Sequence, residues 1–210
     1  CRGNLYRQHK EFQDQYGLDM RCGTEPEMMW LKRGEDGGTN GGVTKPNCYH
    51  IDQFEELRPV FMKVIEYSEQ MGLDIIQGDH EDAPGQLELN TQFDDVLRNA
   101  DRLTTYRQIC AQVAREFGLI ACFMSKPFMG VSASGCHHNM SLWKGGKDVF
   151  HPEIAAGEGE LPGMPGVFTY KEGGENTFMP DPSIDEKMPG PIGLNSIGGV
   201  IKHLPALTSI

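Results

Sequence analysis

The stretch Gly78-Asp79-His80-Glu81-Asp82-Ala83-Pro84-Gly85-Gln86-Leu87-Glu88-Leu89-Asn90 constrains the fold of this chain more than any other. An apolar run, Leu73 to Ile76, leads in, and the alternation Leu87, Glu88, Leu89, Asn90 leads out. The pattern predicts two strands folding back on each other about Pro84-Gly85. Glu81 and Glu88 then face each other near the hairpin mouth. Carboxylates brought that close repel, and a divalent cation is the usual way to hold them.

Two further stretches carry residues of the same chemistry. Residues 20–32 read as a strand with Met20, Cys22, Met28, Trp30 and Lys32 on one face, interrupted by Gly23 and Pro26. On an extended chain residues two apart point the same way, so Glu25 and Glu27 share a face, with a step of ~7 Å between their backbones. Taken alone, that pair reads first as a solvated edge strand kept polar against aggregation, and only second as a pair of metal ligands. Further on, the small-residue loop Ser132 to Gly135 feeds a strand on which His137 and Asn139 share one face while His138 takes the other. Imidazole is the commonest neutral nitrogen ligand of divalent ions, yet a lone histidine is more often a satisfied structural residue.

The remaining pattern predicts a mixed, predominantly soluble architecture. Residues 3–16 have the loose apolar spacing of a surface helix stopped by Gly17. Residues 33–47 are a Gly-rich loop without the Gly-Lys-Ser/Thr of a phosphate cradle. Asp52 starts a helical turn, and Pro59 suits the first turn of a helix carrying Phe61, Val64 and Ile65 and ended by Gly72. Residues 94–117 are the clearest helix, with Val96, Ala100, Leu103, Cys110, Ala114 and Phe117 as its core stripe and Gly118 as its stop. Leu119 to Met124 reads as a short buried strand. Residues 151–192, with seven Gly and seven Pro, read as a long irregular insertion with a short strand at 166–170. From Leu194 helical spacing returns through Ile197, Val200, Ile201 and Leu204, until Pro205 ends or kinks it.

A chain of 210 residues suffices for one large domain or two small ones, and its net charge of −11 argues against a nucleic-acid surface. No apolar run approaches the ~20 residues of a membrane span, and no basic-then-apolar signal opens the chain. The expectation is a soluble, cytoplasmic protein without a membrane or nucleic-acid partner. The six cysteines are scattered with no Cys-x-x-Cys, which reads as free thiols in a reducing compartment. Beginning at Cys1 and stopping at Ile210 inside a helical pattern, the sequence reads as a fragment.

In their order and spacing these pieces resemble the glutamine synthetase superfamily, the glutamine synthetases and gamma-glutamyl-amine ligases. Glu25-Pro26-Glu27 is similar to that family's Glu-x-Glu strand. His80 to Glu88 is similar to its His-Glu-x-Ala-Pro-Gly-Gln-x-Glu signature. Phe123-Met124-Ser125-Lys126-Pro127, followed by Ser134-Gly135-Cys136-His137 and Ser141-Leu142, is similar to its Phe-Met-x-Lys-Pro...Gly-Ser-Gly-Met-His-x-His-x-Ser-Leu block. Ala100-Asp101 and Gly198 to His203 fit as well.

The resemblance implies an α+β catalytic domain, a curved antiparallel sheet with helices packed on its outer face. The family's amino-terminal β-domain and carboxy-terminal part would lie outside residues 1–210. It implies two divalent ions per site, Mg2+ or Mn2+, which suit hard carboxylate oxygens. Glu27, Glu81 and Glu88 match the ligands of the ion that contacts the amino-acid substrate, and Glu25 and His137 match ligands of the ion that serves the nucleotide phosphates. Glu81 and Glu88 are the residues expected to matter most for catalysis. Asn139 and Ser141 match ATP-contacting positions, and Ser132, Ala133 and Gly135 match the acid-binding loop. The implied chemistry is ATP-dependent activation of a carboxylate to an acyl phosphate, which ammonia or an amine converts to an amide. The implied partners are ATP, glutamate or a related acid, an amine, and further copies of the chain in a ring, up to a dodecamer.

The departures bear on substrate more than on mechanism. Ser132-Ala133-Ser134-Gly135 stands where the family has Asn-Gly-Ser-Gly, and Asn139 stands where it has a second His, so a phosphate contact loses its charge while keeping a donor. A relative acting on another amine or an altered acid is therefore expected before a housekeeping glutamine synthetase. A non-catalytic assembly protein of the same superfamily is the alternative, against which stands the retention of carboxylates that repel. A metal-dependent hydrolase would use the same ligands but does not explain the Phe-Met-x-Lys-Pro block.

Overall fold

The computed structural model describes residues 1–34, 39–42, 48–150 and 191–207. The elements are α1 (Arg2–Tyr16), β1 (Asp19–Arg33), β2 (Thr39–Gly42), α2 (Ile51–Glu56), α3 (Arg58–Gln70), β3 (Ile75–His80) and β4 (Gln86–Thr91), followed by β5 (Asp94–Asp95), α4 (Val96–Glu116), β6 (Leu119–Cys122), β7 (Cys136–Lys144), β8 (Lys147–Asp148) and α5 (Pro191–Leu207). They fall into two compact units, Cys1 with residues 3–21 and 141–210, and Arg2 with residues 22–140.

The unit of residues 22–140 is built on β1. Strand order runs β3-β4-β1-β7, and β2, β5 and β6 also pair with β1. The β1–β4, β1–β6 and β3–β4 ladders are antiparallel. Even-numbered residues of β1 from Cys22 to Trp30 are buried, the period-2 signature of one covered face. Met28 and Trp30 join Leu87 and Leu89 of β4, and onto them pack Val60, Phe61 and Val64 of α3 and Tyr106, Ile109, Cys110 and Val113 of α4. Helices therefore cover one face of a curled antiparallel sheet, the α+β arrangement expected. A smaller cluster, Met29, Leu31, Ala83 and Cys122, belongs to the opposite parity of β1.

Several local expectations are corrected by packing. Gly23 and Pro26 do not interrupt β1, which runs unbroken from Asp19 to Arg33. Lys32 is exposed although Trp30 is buried, since the covered face ends where the core does. His50, not Asp52, precedes the first residue of α2. The buried stripe of α4 runs through Val96, Asn99, Tyr106, Ile109, Cys110, Val113 and Ala114, leaving Phe117 exposed. Only Cys122 of β6 is buried. The region expected as an insertion lies outside the described residues up to 190, and α5 begins at Pro191 and runs through Pro205 to Leu207.

The helix ends follow sequence chemistry. Gly17 closes α1 in the left-handed region at φ 65°, and Pro59 lies in the first turn of α3. Asp95 caps α4 by accepting from the N–H groups of Leu97 and Arg98, both at 3.0 Å. In the unit that includes residues 3–21 and 141–150, Leu18, Leu142 and Val149 form a small buried cluster with Phe12, Tyr16, Met20 and Phe150 against it. There the end of β7 pairs antiparallel with β8, Trp143 opposite Asp148.

Candidate functional site

The acidic hairpin forms as read: β3 and β4 pair antiparallel about Pro84-Gly85, with Gly85 at φ 73°. Its register differs from the expectation. Asp79, not Glu81, stands opposite Glu88, and Glu81 lies one residue past β3, its N–H donating to Gln86 O at 2.9 Å. Glu81 and Glu88 thus share a face as diagonal rather than direct neighbours. On the other edge of β4, Glu88 stands opposite Glu27 of β1. The hairpin and β1 therefore gather Asp79, Glu81, Glu88, Glu25 and Glu27 on the sheet face away from the helices.

β7 brings the imidazole. His137 Nδ1 lies 3.1 Å from Glu25 Oε2 and its Nε2 lies 3.8 Å from Glu27 Oε1. Asn139 shares that face, donating to Glu25 Oε1 at 2.6 Å, whereas His138 takes the other, its Nδ1 3.7 Å from Cys22 Sγ. The loop before β7 is tied to the same carboxylate: Gly135 N–H donates to Glu27 Oε2 at 3.1 Å. A Cβ on Gly135 would lie 2.8 Å from His137 Nε2 and 3.3 Å from Glu27 Oε1, so any larger residue there displaces the end of the imidazole. Ser132 donates to the Asp82 carboxylate.

The electrostatics of this face are one-sided. Burial, and then the charges of Glu27, Glu88 and Asp79, push the Glu81 carboxyl up to about 7. Glu88, only 6% exposed, is also raised, by burial first and by Glu25, Glu27 and Asp79, against the lowering effect of Asn90. Among the described residues no Lys or Arg pairs with Glu25, Glu27, Glu81 or Glu88. Four Glu carboxylates, an Asp and one imidazole form a hard, oxygen-rich donor set that fits Mg2+ or Mn2+. As they stand, no three His, Cys, Asp or Glu side chains among the described residues are gathered into a closed metal cage. Their oxygens are turned instead to amide donors: Asn90 Nδ2 to Glu88 at 2.7 Å, Gln86 Nε2 to Glu27 at 2.8 Å and Asn139 to Glu25.

Every residue expected as a metal ligand, together with Asn139 and the loop Ser132, Ala133 and Gly135, belongs to the unit of residues 22–140. Ser141 does not; it belongs to the other unit, where its hydroxyl accepts from Trp143 Nε1 at 2.8 Å. Three residues of this face had been assigned no part: Asp79, Gln86 and Asn90. Strand parity could have found them, since Asp79 alternates with Glu81, and Gln86 and Asn90 with Glu88.

Fold and site together define an α+β domain organised around an acidic sheet face with an imidazole at its rim. Residues 1–160 match the family model of the glutamine synthetase catalytic domain, and the chain belongs to that family. A glutamine synthetase of Rhizobium leguminosarum bv. phaseoli is 30% identical over 198 residues, 92% of this chain and 38% of that protein. One of Methanococcus voltae is 28% identical over 213 residues, 100% of this chain and 40% of that protein. The chain spans about two fifths of the length of these relatives. Among solved structures, GmaS without ligand superimposes with a TM-score of 0.65 at 29% identity, over 71% of this chain and 36% of that one. Its ADP complex gives 0.64 at 29% identity, over 71% and 35%.

Proposed function

We propose that the chain supplies the cation-holding catalytic face of an ATP-dependent carboxylate–amine ligase of glutamine synthetase type. The observation that carries this reading is the convergence of Glu25, Glu27, Glu81, Glu88 and His137 on one sheet face, with no Lys or Arg paired to the four Glu among the described residues. Divalent ions held there, Mg2+ or Mn2+, would neutralise phosphate charge. Glu27, Glu81 and Glu88 would hold one ion on the acid side, and Glu25 and His137 the other on the nucleotide side. Asn139 would serve as a neutral donor toward phosphate in place of Glu25, and Ser141 as a nucleotide contact; a similar protein solved with ADP supports a nucleotide here. The loop Ser132-Ala133-Ser134-Gly135 would line the acid pocket.

The reaction transfers the γ-phosphoryl group of ATP to the acid's carboxylate. An amine then displaces phosphate from the acyl carbon, leaving an amide, ADP and phosphate. Glutamate or a related acid and an amine other than ammonia are the proposed substrates, since the loop lacks the family's Asn-Gly. A ring-shaped homo-oligomer in the cytoplasm completes the proposal. The test is ADP release by the whole protein across a panel of acids and amines. Release that requires both substrates and disappears in Glu88→Ala supports the ligase. ADP release indifferent to acid and amine rejects it, and a whole protein that binds no Mn2+ in calorimetry favours an assembly role.

A further inference from the structure

Gln86 is 1% exposed and each of its side-chain atoms is engaged. Its Oε1 accepts from Ala83 N–H at 2.9 Å, inside the Pro-Gly turn. Its Nε2 reaches three acceptors: Glu27 Oε2 at 2.8 Å, Ala133 O at 3.1 Å and Ser134 Oγ at 3.3 Å. An amide nitrogen has two hydrogens. The short, charge-assisted bond to the carboxylate takes one, and the loop acceptors share the other. Glu27 completes the circuit: its Oε2 also accepts from Gly135 N–H, its own N–H donates to Gly135 O at 3.1 Å, and its Oε1 is left toward His137. One carboxylate oxygen is thus committed to the loop and the other to the imidazole side.

Resting on the ligase reading above, we infer that Gln86 is a positioning residue that couples cation binding at Glu27 to the conformation of the acid-pocket loop, residues 133–135. With Oε2 held by Gln86 and Gly135, Glu27 would be left to present Oε1 to a cation, and any turn of its carboxylate on binding one would be felt by the loop through Gln86 and Gly135. Such coupling is reciprocal by linkage.

The test uses the whole protein and Mn2+ alone as probe, read by hydrogen exchange of the amides of residues 133–135 and by calorimetry. In the wild type Mn2+ should slow exchange of the loop. In Gln86→Met, which keeps the length and removes both donors, the loop should exchange faster without metal and its response to Mn2+ should vanish, with Mn2+ affinity lower by about 10- to 100-fold. Steady-state kinetics should show the KM for the acid rising while the KM for ATP stays, a split that general loosening of the fold would not give. Should Gln86→Met fail to fold, Gln86→Glu keeps the volume and the acceptor for Ala83 and is expected to lose the same response. A loop indifferent to Mn2+ in the wild type, or equally responsive in the variants, overturns the coupling. A responsive loop in a protein that turns over no ATP keeps the coupling and removes the ligase reading.

Discussion

At the scale of single residues, the site rests on small donors beside large charges. Gly135 is there because a Cβ would lie 2.8 Å from His137 Nε2, a separation at which something must shift. Gly135→Ala should therefore lower Mn2+ affinity by about tenfold or more while leaving the melting temperature within a few degrees, since the damage is to ligand placement rather than to the core. Unchanged affinity in calorimetry would show that the imidazole moves aside for the added Cβ at no cost to cation binding. The facing of these side chains was legible from parity: Glu25 with Glu27, and His137 opposed to His138. Parity also places Asn90 beside Glu88, two residues away on the same strand, but not the bond of Gln86 to Glu27, which lies across the sheet and is a matter of register.

Among the elements, α4 carries the most local encoding. Asp95 accepts from two backbone N–H groups at its start, so Asp95→Ala should cost about 1 kcal/mol in urea unfolding. Asp94 beside it offers a pH test. Burial alone would raise its carboxyl, but the Asp95 N–H at 2.8 Å and the guanidinium groups of Arg98 at 3.1 Å and Arg102 at 3.2 Å outweigh that and hold it below its usual range. A depressed folded-state pKa means stability present above the unfolded value of ~3.9 and lost as pH falls through the folded one. Asp94→Asn should be less stable than wild type near neutrality by about 0.5–1 kcal/mol. The gap should close below pH ~4; a gap that persists in acid would assign the loss to packing instead. For β1, sequence reading saw interruptions at Gly23 and Pro26 where none exist, because neighbouring strands hold a backbone that local propensity would break.

The core and the acidic face are two sides of one sheet in the unit of residues 22–140. Trp30, 1% exposed, sits among residues of β4, α3 and α4, so Trp30→Ala should cost ~3–5 kcal/mol and be read directly in denaturant melts. All six cysteines are free, with Cys22, Cys110 and Cys122 buried and Cys1 and Cys136 exposed. Burial pushes the Cys110 thiol up to about 12 and also raises Cys22 and Cys136, so a thiolate-directed reagent should label Cys1 ahead of Cys136 in the native protein and the buried three only on unfolding. Early labelling of Cys110 would contradict the packing of α4 on the sheet.

Turn chemistry and period-2 alternation act over a few residues, so the hairpin, the parity of Glu25 with Glu27, the imidazole at 137 and the family to which these belong are written in the local sequence. That Asp79 rather than Glu81 opposes Glu88, that Glu27 lies between Glu88 and His137, and that Gln86 ties the hairpin to residues 133–134 comes from the folded molecule alone. Those are pairings across strands distant in sequence, set by how the apolar face of each strand meets α3 and α4, and no local pattern specifies them.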